Sequence, residues 1–149
     1  MNNSIYHILI PVIASIIMNG IIYTFGINKA YMNEKKNPYI PPGYIIGIIW
    51  VIILGLLGYV HYLLYEKYNS ITFSSLLIIF IILFCISYPL ITGLKAKSGL
   101  LLNLLTLILA FSTGLLIICQ SKYIFMYLIP LIVWASYVNI AFALEPPKN

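Results

Sequence analysis

The stretch GYIIGIIWVIILGLLGYVHYLLY, residues 43–65, decides the fold. It carries no charged side chain, and as a helix rising 1.5 Å per residue it would reach about 34 Å, enough to cross a hydrocarbon core of about 30 Å. Its apolar residues run continuously and do not alternate, which argues against a strand of a membrane barrel. A lone strand in lipid would also leave its backbone N–H and C=O groups bare at high cost.

Similar runs flank it on both sides. The chain is free of charge up to Asn28, from Tyr68 to Leu94, from Ser98 to Ser121 and from Tyr123 to Leu144. Each can span a bilayer, so helices are expected over residues 5–27, 43–65, 71–93, 99–119 and 123–144. The expected fold is all-α: one polytopic membrane domain over residues 1–149, a bundle of five transmembrane helices with a long proline-rich first loop. The first run has no basic residue before it and no small-residue cleavage pattern after it, so it reads as a retained helix and not as a signal peptide.

Composition agrees. Hydrophobic residues make up 62% of the 149 and charged residues 7%, against about 25% charged in ordinary soluble domains. A mean hydropathy of +1.04 leaves too little polar material to cover a water-soluble core. The net charge of +5 comes from eight lysines scattered between apolar runs, with no arginine. No basic face for nucleic acid can be assembled from them. Cys85 and Cys119 fall inside apolar runs, where they read as packing residues and not as a disulfide framework.

The connections after the second, third and fourth runs are short, which makes those helices antiparallel neighbours. The first connection differs. It runs from Asn28 to Pro42 and ends in Asn37-Pro38-Tyr39-Ile40-Pro41-Pro42, where the prolines stop the following helix from extending backward and favour an extended approach. Such a segment can lie across the bundle end as a lid. One side of the membrane then holds Lys29, Lys35, Lys36, Lys95, Lys97 and Lys148, and the other Lys67 and Lys122. The positive-inside rule puts the amino terminus outside, and the carboxyl terminus and lid in the cytoplasm.

Reactive chemistry is sparse. The chain has no aspartate, and Glu34, Glu66 and Glu145 lie in loops or at helix ends, so neither an intramembrane carboxylate relay nor a base with a nucleophile in reach is visible. His7 and His61 map to the same end of the bundle. Two histidines are too few for a metal site, and no metal is expected.

The uncharged polar and aromatic residues carry more information. Counted from the lid end at 1.5 Å per residue, Asn103 lies about 6 Å deep, Tyr88 and Asn139 about 8 Å, Trp50 about 10 Å, Asn19 about 12 Å and Trp134 about 15 Å. All five helices thus contribute to one half of the bundle. An asparagine facing lipid is costly, so these groups should turn inward, as glue between helices or as the lining of a cavity. Trp50 and Trp134, the only tryptophans, sit deeper than a headgroup belt. On the second helix Gly43, Gly47 and Gly58 allow close approach of lid or neighbour. With Pro41 and Pro42 above, such a recess would suit a planar apolar ligand.

At this point the residues resemble the translocator protein or tryptophan-rich sensory protein (TspO) family. The resemblance rests on Asn37-Pro38-Tyr39-Ile40-Pro41-Pro42-Gly43 through Ile46-Gly47-Ile48-Ile49-Trp50, then Leu56-Leu57-Gly58-Tyr59, and on Leu128-Ile129-Pro130 followed by Trp134-Ala135-Ser136-Tyr137. Phe84, Ser87 and Tyr88 stand where the family usually has an asparagine and a tryptophan-serine pair, and Tyr31 where it often has tryptophan. The resemblance implies a five-helix bundle that binds porphyrins and related tetrapyrroles beneath the first loop, with stacking on Trp50 and Trp134 and with Tyr31 and Tyr88 nearby. It further implies a sensory role, movement of the ligand, or its light-dependent degradation, with no resident cofactor and a possible homodimer in the bilayer. The alternative is a passive transporter or scaffold that holds another hydrophobic ligand such as a sterol, or no small molecule.

Overall fold

A computed structural model describes residues 3–27, 39–94 and 99–144. Among them every regular element is helical: α1 (Asn3–Thr24), α2 (Gly43–Tyr68), α3 (Phe73–Leu94), α4 (Gly99–Gln120), α5 (Lys122–Met126) and α6 (Ile129–Ala143). Five spans are long and apolar enough to cross a membrane, the last formed by α5 and α6 together over Lys122–Ala143. The expected count of spans is met. Most of the proline-rich first connection, including Tyr31, lies outside the described residues.

The helix boundaries follow from local chemistry. Pro42 stands before α2 in an extended conformation (φ −55°, ψ 146°), and its carbonyl accepts the first amides, Ile45 N at 2.9 Å and Ile46 N at 3.2 Å. At the other end Asn69 takes a left-handed conformation (φ 49°), which asparagine tolerates better than most residues. Thr72 Oγ1 then accepts the Ser75 amide at 3.2 Å, so α3 begins two residues later than the apolar run suggests. Ser121 alone separates α4 from α5, and its hydroxyl accepts from the Ile124 amide.

The fifth span departs from the expectation of one unbroken helix over 123–144. Pro130 has no N–H to return to Met126, and the chain responds with tighter i to i−3 bonds, Leu128 N to Phe125 O at 2.9 Å and Leu131 N to Leu128 O at 3.1 Å. Tyr127 and Leu128 keep right-handed torsions, so the axis is interrupted without being reversed.

Helix α1 packs on α2 and α3, α2 on α3, α3 on α4, α4 on both halves of the fifth span, and α2 on α5. The core is Ile53, Leu54, Leu57, Val60 and Leu64 of α2, Ile78, Ile81, Ile82 and Cys85 of α3, Ala110 and Ile117 of α4, and Ile124, Leu128 and Leu131 of the fifth span. Outside this core the surface is also apolar. Ile10, Ile13, Ile16, Ile17, Leu83, Ile108, Leu115 and Val133 are all exposed, as they must be when lipid is the solvent. Both cysteines are free, Cys85 in the core and Cys119 on the exposed face.

Candidate functional site

The helix starts and ends described above bring three spans together at the end of the bundle that carries Pro41 and Pro42. Trp50 lies two turns into α2, half-buried against the core. It meets Tyr88 of α3, with ring centroids 6.3 Å apart and planes tilted by 34°. Trp134 of α6 is also half-buried against the core and stacks on Tyr137, at 5.6 Å and 24°. Tyr137 in turn donates its hydroxyl to the Tyr39 carbonyl at 2.5 Å, tying the fifth span to the chain that enters α2.

The remaining sequence-predicted residues are placed unequally. Pro41 is half-buried and Pro42 exposed. Asn103 of α4 is buried at 6% exposure, and its Nδ2 has no hydrogen-bond partner among the described residues. Asn139 of α6 spends its amide on its own helix, with Nδ2 donating to the Ala135 carbonyl at 2.8 Å. Asn19 is exposed on α1, so it is not among the amides the bundle buries. Gly47 is also exposed, and a Cβ there would meet nothing within 4 Å among the described residues. Close approach occurs instead at Gly58, where a Cβ would fall 2.0 Å from the His7 carbonyl oxygen.

Tyr137 is the residue that sequence reasoning left out of the site. The signal was present: it lies one turn after Trp134 within the stretch that carries the family resemblance, and residues so spaced share a helix face.

This end of the bundle offers planar aromatic surface, phenol hydroxyls and a buried, unpaired amide donor. Among the described residues no group of three or more His, Cys, Asp or Glu side chains could hold a metal ion. The arrangement can stack a flat ligand and donate a hydrogen bond to it. A separate groove of about 350 Å³ runs between α4 and the fifth span, lined by Phe111, Gly114, Leu115, Ile118, Phe125, Ile129 and Ile132. It holds none of the sequence-predicted residues and no polar side chain.

Asn103 yields a prediction. A buried donor without a partner costs about 1–3 kcal/mol, so Asn103→Leu should raise the melting temperature of the ligand-free protein. If the amide serves a ligand, the same variant should bind that ligand less tightly. Thermal unfolding and binding measured on one preparation check both halves.

Comparison with curated proteins and with solved structures gives no match. A family model does match, over residues 7–143 and thus nearly the whole chain. Five apolar spans and a match of that extent make this a multi-pass integral membrane protein that belongs to the TspO/MBR family.

Proposed function

We propose that the protein binds a tetrapyrrole, porphyrin or a close relative, at the end of the bundle carrying Trp50, Tyr88, Trp134 and Tyr137, and that it acts as a membrane receptor or carrier for that ligand. One observation carries the reading. The only two tryptophans each stand beside a tyrosine, and both pack on one core from different spans. Residues placed only to anchor the bundle in headgroups would sit at the interface and need no such pairing.

A planar macrocycle buries a large apolar area in one contact and gains further from stacking on indole and phenol faces. Asn103 adds a donor for a ring substituent. The ligand is a guest and no resident cofactor is required. By the positive-inside rule this end faces the cytoplasm.

The test is titration of the purified protein with protoporphyrin IX, followed by its Soret band. The expected result is a shifted band that saturates at one porphyrin per chain. A signal that grows without saturating and matches empty detergent micelles would show partition into an apolar phase and reject the reading.

A further inference from the structure

At the opposite end of α2, 11 residues and about 16 Å beyond Trp50, His61 meets His7 of α1. Their Nδ1 atoms are 2.8 Å apart and their ring centroids 4.9 Å. The seam is tight at this point, since Gly58 lets the His7 carbonyl approach and Gly55 receives Ile8 and Val12. Three α2 residues spaced by three, Gly55, Gly58 and His61, therefore face the first half of α1.

Two imidazole nitrogens at hydrogen-bond distance need one proton between them. One Nδ1 must carry hydrogen and the other must be bare, so the rings hold opposite tautomers. The far side of His61 decides which. Its Nε2 is buried and has no hydrogen-bond partner among the described residues, and orphaned buried N–H groups are rarer than under-used acceptors. Placing hydrogen on His61 Nδ1 leaves Nε2 as a bare lone pair. Placing it on His7 Nδ1 would force a stranded N–H at His61 Nε2.

We propose that His7 and His61 form a single-proton latch between α1 and α2, in which His61 Nδ1–H donates to a bare His7 Nδ1, and that acidification opens it. A further proton has no harmless position. On His7 Nδ1 it sets two N–H groups head to head, and on His61 Nε2 it creates a buried charge with an unpaired donor. The closed seam therefore binds fewer protons than the separated helices. Its stability rises with pH and is lost as pH falls through the range in which free imidazoles charge, about pH 8 to 5.

Among the described residues no carboxylate forms an ion pair with either ring. From α2, the rings of Tyr62 and Tyr65 lie 5.7 and 6.2 Å from His7, and Glu66 holds the Tyr62 hydroxyl. Lys67, next along, donates to the Gln120 carbonyl. Helix α3 packs on both α1 and α2, and its first half, residues 73–82, has no titratable side chain. Tyr127 and Tyr123 of the fifth span reach this end through Tyr59, which stacks on Tyr62.

Nitrogen-15 spectra of histidine-labelled protein at pH 7.5 test the latch directly, with His7→Asn used to assign the rings. The expected spectrum has His61 protonated at Nδ1 and His7 protonated at Nε2. The same tautomer in both rings would overturn the proposal. Thermal unfolding adds a second readout: between pH 7.5 and 5.5 the melting temperature should fall by roughly 5 °C, equivalent to one or two kcal/mol in a chain of this size. His7→Asn/His61→Asn, whose amides mimic Nδ1 without titrating, should lose most of that fall. An equal fall in the double variant would assign the response elsewhere and sink the latch. If that variant does not fold, the wild-type spectrum decides alone. No porphyrin enters either measurement.

Discussion

Alanine at both Trp50 and Trp134 will weaken protoporphyrin binding by about two to three orders of magnitude, on the scale of roughly 1–3 kcal/mol for each stacked planar ring. The two indoles lie on different spans and each keeps its own tyrosine, Tyr88 or Tyr137. Shared equally between the two rings, that loss sets the scale for each. Each single variant should thus lose about tenfold or somewhat more. Both indoles also pack against the core, so alanine will lower stability as well. Circular dichroism must accompany the titration, and only folded variants count. The Soret titration checks the prediction. A double variant that folds and binds as tightly as the parent would remove the tryptophans from the site.

The second large effect concerns stability. Gly58→Ala should destabilise the protein by about 2–3 kcal/mol, in the upper part of the usual range for overpacking. The new Cβ would lie 2.0 Å from the His7 carbonyl oxygen, 2.9 Å from its carbon and 3.1 Å from the Ile8 Cα. All three are backbone atoms of α1, so no flexible side chain can yield, and the whole helix must move. The better helix propensity of alanine recovers at most about 1 kcal/mol. The other glycines of α2 provide controls. At Gly55 a Cβ would meet Ile8 and Val12 side chains at 3.7 and 3.8 Å, ordinary contact distances, and at Gly47 it would meet nothing within 4 Å among the described residues. Gly47→Ala should therefore be neutral or stabilising by up to about 1 kcal/mol. Melting temperatures of the three variants in one detergent give the ranking. If Gly58→Ala melts no lower than Gly47→Ala, the close approach of α1 to α2 is wrong.

These three glycines also show how far the sequence could be read. Spans were legible because lipid imposes length and apolarity on every segment that crosses it, and five charge-free runs meet that demand. Depth was legible too, since a constant rise per residue fixes how far along a helix each side chain stands. His7 and His61 were assigned to one end, and there they meet. Rotation about each helix axis was not legible. In a soluble helix the polar face marks the outside, but here both faces are apolar, and the same arithmetic that grouped Asn19 with Asn103 could not tell that Asn103 is buried and Asn19 exposed. For the same reason Gly47 and Gly58 looked alike, although among the described residues Gly58, and not Gly47, lies against a neighbouring backbone.

The interruption of the fifth span had a written signal in Pro130, since a proline at the eighth position of the apolar run from Tyr123 removes a helical donor. Hydropathy alone passes over it. Tyr137 was marked by its place one turn after Trp134, but its partner was not. Its hydroxyl reaches Tyr39, 98 positions away, and no local pattern encodes a contact of that span.

The central claim is that a planar ligand lies against both indoles. Because the chain has two tryptophans and no more, fluorotryptophan labelling gives a fluorine spectrum of two resonances, each reporting one side of the proposed site. Ring-current shifts fall off steeply with distance, so one equivalent of protoporphyrin should move both resonances together as the Soret band saturates. Saturable binding that leaves both resonances in place would contradict the account and direct attention to another surface, such as the groove between α4 and the fifth span.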